Sequence, residues 1–406
     1  MTTRERIKEI CEELSHDIEN SDVKHRGVTD EIEKTMDMEE VTAAAGVRRA
    51  GKTYVMYELI KKHGGVYINF EDERLIDFSL SDFEKLYSIA LEAKSEFLYL
   101  DEVQNIRGWE KFAARAQKKM KLFVSGSNSS FLGSEFSSVL TGRTMTFHVY
   151  PLSFKEFLDF RDSTAKTKDE LRAEFERYLE LGGFPRIVLS GQKSLALEYF
   201  NRIIYRDIIP RFRIKKPDSI HRLAVYLLSN VGMKFSYRKV KEYCNLKHES
   251  TVKLYTSYLE QAFLLNTLNK FDPSLKHQEA SPKKVYAVDT AFSEVAGPFT
   301  ADKTRLFENV VFGELRRRMP DNGIFYAEKK GEVDFLVSKS ANPLTAINVS
   351  YAINDSKTFE RELRGLAEMK SGIKKVLITL YPPAFDIPKG ITYIDASDFF
   401  LGKSAL

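Results

Sequence analysis

Two cysteines in 406 residues, Cys11 and Cys244, are too few and too far apart for a disulfide framework. By themselves they also cannot build a multi-thiolate zinc site. No apolar run approaches the ~18–20 residues that a membrane-spanning helix needs. The opening MTTRERIKEICEELSHDIE has no apolar stretch of signal-peptide type. These absences predict a soluble cytoplasmic protein without membrane association. No period of roughly 20–50 residues recurs, which argues against a solenoid. What is present is ordinary globular material: 43% hydrophobic and 30% charged residues, in a length that suits two or three domains.

The formal charge of +4 does not by itself mark a partner, but the charge is unevenly placed. From Asn201 to Lys284 there are 17 Lys/Arg against 7 Asp/Glu, a surplus of ten that leaves the rest of the chain net acidic. A basic segment between acidic flanks is the asymmetry expected of a surface that meets phosphate, although a solvated lysine-rich surface gives the same count.

The first portion alternates short apolar runs with helical stretches. Val41–Ala45, Val66–Phe70, Phe97–Leu100, Leu122–Ser125 and Thr144–Val149 read as buried strands, with helices over Tyr54–Lys62 and Trp109–Met120. Such alternation predicts an α/β unit built on a mostly parallel sheet, with its site beyond the carboxyl ends of the strands. The pattern then turns helical to about Lys216. His221–Val231, Ser236–Tyr243 and Ser250–Phe263 read as three helices, the last two in helix-turn-helix arrangement, and Leu264–Val288 as a β-hairpin wing. From Leu306 onward helix and strand mix again.

Gly46-Val-Arg-Arg-Ala-Gly-Lys-Thr53 is a full G-x-x-x-x-G-K-[ST] match between a strand and a helix. Gly46 and Gly51 let the backbone curl so that the amides of Arg48, Arg49, Ala50, Gly51, Lys52, Thr53 and Tyr54 converge on phosphate oxygens. Lys52 can neutralise the β/γ-phosphates and the Thr53 hydroxyl can ligate Mg²⁺. Arg48 and Arg49 suit either phosphate or a structural ion pair. Phe97-Leu-Tyr-Leu-Asp-Glu102 is an apolar strand ending in two acids. Asp101 would hold the Mg²⁺ and Glu102 would act as general base on the attacking water. Ser127 or Asn128 ends the next strand, where a side chain could orient that water. Arg143 is a candidate arginine finger, acting within its own chain or on a neighbouring subunit.

GVRRAGKT, YINFEDERL, LYLDEVQNI, VSGSNSS, LTGR, PLSFKEFL and the turn Gly182-Gly-Phe-Pro185, in this order, resemble a prokaryotic family that joins an AAA-type P-loop ATPase domain to a C-terminal domain of unknown function, DUF4143. The resemblance runs over nearly the whole chain. It implies Mg-ATP binding and hydrolysis, a winged-helix segment and a restriction-endonuclease-like tail. The expected division is 1–150 for the P-loop core, 151–216 for a helical connector, 217–290 for the winged helix and 291–406 for the nuclease-like domain.

Within the basic middle, Lys247, His248, Ser250, Thr251, Lys253 and Tyr255 would lie on the exposed side of the recognition helix. Arg238, Lys239 and Lys241 would add backbone contacts, and Lys276, Lys283 and Lys284 could line the wing. The tail resembles the PD-(D/E)xK arrangement, with Glu308 and Asp334 at the acidic positions. The strand that should carry Glu-x-Lys reads Asn348-Val349-Ser350, so a scaffold without cleavage activity is expected, unless Glu328 or Glu332 substitutes. The leading expectation is an ATPase with ATP and Mg²⁺ as cofactors that associates with DNA, in recombination, repair or mobile-element biology, and that could act as a homo-oligomer. The alternative is a nucleotide-gated switch that docks protein partners without nucleic acid. An active endonuclease comes third.

Overall fold

The computed structural model describes every residue except 1, 129–141, 297–301, 320–322, 340–341 and 405. The chain packs as two compact units, Met1–Tyr150 with Gln261–Phe263, and Pro151–Glu260 with Leu264–Leu406.

The first unit is organised by five parallel strands, β1 (Val41–Ala45), β2 (Val66–Asn69), β3 (Phe97–Asp101), β4 (Lys121–Gly126) and β5 (Thr144–His148), in the order β2-β3-β4-β1-β5. Successive strand residues point to opposite faces, so both faces must be covered. On one face Leu98, Leu100, Leu122 and Val124 join Phe83, Trp109 and Phe112 in a continuous core. On the other, Tyr99 stacks on Phe123 with ring centroids 4.7 Å apart. Helix α1 (Arg4–Asn20) was not foreseen. Thr3 caps it by accepting from the Arg6 amide, and Ile7, Ile10 and Cys11 enter the same core. Helix α2 (Lys52–His63) follows β1, and α3 (Trp109–Ala116) ends one turn earlier than its sequence pattern predicts.

The second unit begins with helices that include α4 (Lys168–Leu181), started by a Thr167–Glu170 capping box. The Gly-Gly-Phe-Pro turn follows for a steric reason. Gly182 has φ 73°, and a Cβ there would fall 1.9 Å from Asp289 Oδ1. The Gly183 amide then donates to Asp289 Oδ2 at 2.8 Å.

Helices α5 (Pro217–Ser229), α6 (Tyr237–Tyr243) and α7 (Glu249–Gln261) come next. They are accompanied by an antiparallel sheet of β6 (Lys234–Phe235), β7 (Leu265–Leu268) and β8 (Lys283–Ala287), in the order β6-β8-β7. The strands expected over Leu264–Val288, β7 and β8, pair antiparallel, with β6 added on the far side of β8. A short helix, Leu275–Ala280, separates β7 from β8, and β8 is the central strand of three. Lys284 consequently points inward at 2% exposure and Lys283 is half-buried against Asn269, so neither lines an open wing; Lys276 is exposed.

Helix α8 (Lys303–Arg318) leads into a mixed sheet of β9 (Gly323–Glu328), β10 (Glu332–Lys339), β11 (Asn342–Ser350), β12 (Lys374–Thr379) and β13 (Thr392–Asp395). Its order is β13-β12-β11-β10-β9, parallel from β11 to β13 and antiparallel from β9 to β11. Helix α9 (Ser356–Ala367) covers one face, where Leu363 and Leu366 meet Val333, Leu336, Ala346 and Leu377.

Candidate functional site

The glycine-flanked loop leaves the carboxyl end of β1. Gly46 must be glycine, because a Cβ would stand 2.1 Å from the Val149 carbonyl oxygen. Gly51 takes φ 100° to turn the chain into α2, and its carbonyl accepts from the Val55 amide at 3.0 Å. Arg49 is also left-handed, with φ 72°. Lys52 is buried and directs Nζ back across the loop, donating to the carbonyls of Gly46 at 3.1 Å and Val47 at 3.3 Å. Arg48 pairs with Glu71, and Tyr54 is exposed on the first turn of α2.

The two acids at the tip of β3 converge on this loop. Asp101 Oδ2 accepts from Thr53 Oγ1 at 2.7 Å and from Tyr67 at 2.8 Å, while Ser125 donates to Oδ1. Glu102 adopts φ 49° and ψ 43°, a conformation that costs a non-glycine residue roughly 1–3 kcal/mol. Its carboxylate lies 3.4 Å from Lys52 Nζ. Gln104 and the Ser127 amide donate to its other oxygen.

The acids are driven apart electrostatically. Burial, then the neighbouring Glu102 charge, raises Asp101. For Glu102 the cost of burial is outweighed by Lys52, Gln104 and Arg48, and its acidity is strengthened. The two adjacent acids are thus pushed in opposite directions, because Lys52 and Arg48 stand beside Glu102.

Asn128 is buried just beyond β4. Arg143 immediately precedes β5. Its carbonyl accepts from the Val41 amide at the amino end of β5, and β5 runs parallel to β1. Its main chain therefore lies at the opposite end of β1 from the loop. Ser129, Ser130, Leu140 and Thr141 of the sequence motifs lie outside the described residues.

Sequence reasoning missed Arg26, a buried side chain that donates to the carbonyls of Ala50 and Tyr150, each at 2.8 Å, and so clamps the loop. It also missed Tyr67 and Ser125, which reach Asp101 from the two strands flanking β3.

In the second unit Arg238, Lys239, Lys247, His248, Ser250 and Lys253 are exposed, while Lys241, Thr251 and Tyr255 are half-buried. Arg238 approaches Glu242 at 3.8 Å and Lys253 stands 5.4 Å over the Tyr237 ring. Phe212 stacks on Tyr258 of α7 with centroids 3.7 Å apart, and its chain neighbours Arg211, Arg213, Lys215 and Lys216 are exposed. The run was visible in sequence, but its placement was not.

The parallel sheet, loop and acidic strand tip define an α/β P-loop domain of ATPase type. Comparison with known proteins agrees. Residues 38–158 match an AAA domain, 172–301 a domain of unknown function, DUF8612, and 303–399 a domain of unknown function, DUF4143. An uncharacterized protein of Methanocaldococcus jannaschii is 33% identical over 376 residues, covering 86% of this chain and 83% of that one. An uncharacterized protein of Haemophilus influenzae is 29% identical over 366 residues, covering 84% and 90%. A Walker-type ATPase of Pyrococcus abyssi aligns in structure over 68% of this chain and 96% of its own, at 15% identity and a TM-score of 0.47. The chain belongs to the family that joins an AAA-type P-loop ATPase domain to a C-terminal DUF4143 domain. Among the described residues no helix is long and apolar enough to cross a membrane.

Proposed function

We propose that this chain binds ATP with Mg²⁺ at the loop Gly46–Thr53, hydrolyses it, and couples nucleotide state to association with duplex DNA. The observation that carries the reading is the convergence of Lys52, Thr53, Asp101 and Glu102 on one loop mouth. Thr53 and Asp101 present hard oxygen donors side by side, the donor type Mg²⁺ prefers. Thr53 and Asp101 would hold the ion, whose charge would offset that of the phosphates.

Lys52 would exchange two carbonyls for phosphate oxygens, and the loop amides would supply the remaining donors. Glu102, kept ionised, would accept the proton of the attacking water. Gln104 and the Ser127 amide fix its orientation, and Asn128 would help place that water.

The division proposed for the second unit is a helical connector over 151–216, a winged helix over 217–290 and a nuclease-like domain over 291–406. Lys247, Lys253, Arg238, Lys239 and Lys241, with the run from Arg211 to Lys216, give the winged helix a phosphate-facing surface. A second reading, docking of a protein partner, draws on Leu254 and Tyr243, which are 49% and 61% exposed beside those lysines.

The test is ATPase turnover with and without duplex DNA, run with binding titrations at several salt concentrations. Turnover that rises with DNA, and an affinity that falls steeply with salt, support the reading. Turnover indifferent to DNA, with no binding at low salt, leaves protein docking. No turnover beyond that of Lys52→Ala removes the ATPase reading.

A further inference from the structure

The tail's acids surround a lysine. Lys284, on the central strand of the three-stranded sheet, has its Nζ 2.9 Å from Glu308 Oε1, 3.1 Å from Asp334 Oδ1 and 2.8 Å from Glu332 Oε1. Glu308 comes from α8, and Glu332 and Asp334 come from β10. An ammonium has three donors, and here each meets a different carboxylate. Further donors surround the acids. Tyr286 donates to the same Glu308 Oε1 at 2.6 Å, the Val349 amide donates to Asp334 Oδ2 at 3.0 Å, and Lys234, paired with Lys284 across the sheet, donates to Glu332 Oε2 at 2.9 Å.

Three carboxylates converging in a mostly buried place require positive charge, because each uncompensated ion costs several kcal/mol to desolvate. Metal-dependent phosphodiesterases supply it as a divalent ion. Here the ligand spacing is that of nitrogen: 2.8–3.1 Å is longer than the ~2.0–2.6 Å of oxygen to Mg²⁺ or Ca²⁺. Among the described residues no three His, Cys, Asp or Glu are spaced to hold a metal ion.

The residue at the missing acidic position is committed elsewhere. Asn348 donates to the carbonyls of Glu332 at 3.1 Å and Glu362 at 2.7 Å, and accepts from the Asp334 amide at 3.2 Å. Ser350 donates to the Ala352 carbonyl. Both side chains serve the sheet.

We propose that Lys284 is the resident cation of this nuclease-like centre, its ammonium standing where a catalytic divalent ion would stand. The acids of the tail then grip the three-stranded sheet instead of a metal, and the chain does not cleave phosphodiesters. The inference is independent of whether the first unit hydrolyses ATP or the middle segment binds DNA.

The test is Mn²⁺ uptake by the full chain without nucleotide, followed by electron paramagnetic resonance, for wild type, Asp334→Asn, Lys284→Ala and Lys284→Ala/Asp334→Asn. Lys284→Ala should gain one equivalent of bound Mn²⁺ over wild type, and the double variant should lose it. Wild-type uptake that disappears in Asp334→Asn overturns the proposal, as does a folded Lys284→Ala that gains none. Should Lys284→Ala fail to fold, refolding in millimolar Mn²⁺ decides: recovered structure supports a cation role, and none refutes it. A plasmid-nicking assay adds a second readout. Wild type should leave supercoiled plasmid intact with Mg²⁺ or Mn²⁺, and nicking that vanishes in Asp334→Asn sinks the inference.

Discussion

Lys52 is held by the acid that is proposed to activate water, and this makes Glu102→Gln a two-sided experiment. The Lys52 ammonium is buried, with Glu102 at 3.4 Å. Unit charges at that separation attract by about 5 kcal/mol at an effective dielectric of 20, before desolvation and hydrogen bonding are set against it. Lys52 must loosen that pair to meet a phosphate. The amide of glutamine keeps the size and the carbonyl acceptor but removes the charge. About 1–2 kcal/mol of competition should be relieved, tightening ATP binding by about 5- to 30-fold. Hydrolysis should meanwhile fall by about 10²–10⁴, the usual worth of a general base. Fluorescence titration with a labelled ATP analogue reads the first effect and single-turnover hydrolysis the second. Turnover at the wild-type rate removes Glu102 as the base, and unchanged or weaker binding refutes the competition between Glu102 and phosphate for Lys52.

Three further expectations follow from the same geometry. Arg26→Ala strands the buried carbonyl of Ala50 and the half-buried one of Tyr150, so chemical denaturation should show a loss of about 1–3 kcal/mol together with weakened ATP binding; a variant as stable as wild type removes Arg26 as a clamp. Arg143→Ala should leave turnover unchanged in dilute protein, because Arg143 stands at the far end of the sheet from the loop; a deficit that grows with protein concentration would assign it to a neighbouring copy, and one present at every dilution would contradict its placement. Asp289 is raised to about 7 by burial, against which the Ala291 and Gly183 amides and Arg317 act only in part. A raised acid binds its proton more tightly in the folded chain than in the unfolded one, so its stabilisation is complete below about pH 4 and is lost as pH rises towards 7, at up to ~1.4 kcal/mol per pH unit. Urea melts of wild type across that window should therefore slope more steeply than those of Asp289→Asn, and parallel slopes would exclude Asp289 as the source.

What could be read from the chain before its structure was whatever lies close together along it. The phosphate loop is eight consecutive residues whose types are dictated by backbone curvature and charge, and the Asp101-Glu102 pair ends a strand that its apolar run announces. Four strands of the parallel sheet were legible for the same reason, each being a short run buried at its centre or throughout, whereas β5, expected to be buried, is a half-exposed edge strand. Strand order is a different kind of information. That Ser125 and Tyr67 both reach Asp101 depends on β3 lying between β4 and β2, and no local pattern encodes it. Arg26 is more remote still, a single basic residue in a charged stretch whose partners are main-chain carbonyls.

Lys284 shows the limit most sharply. In sequence it is the second of two adjacent lysines in the most basic part of the chain, and composition assigns both to solvent. A strand, however, sends consecutive residues to opposite faces, so if β8 is central in its sheet the pair must split: Lys283 stays half-buried against Asn269 and Lys284 turns fully inward. An inward lysine can be tolerated only if acids await it, and Glu308, Glu332 and Asp334 are those acids. The excess of basic residues that suggests phosphate binding therefore overstates it, because at least one of those charges is consumed internally. A measured salt slope should be compared with the exposed cations of α6, α7 and the run from Arg211 to Lys216, and not with the full surplus counted along the segment.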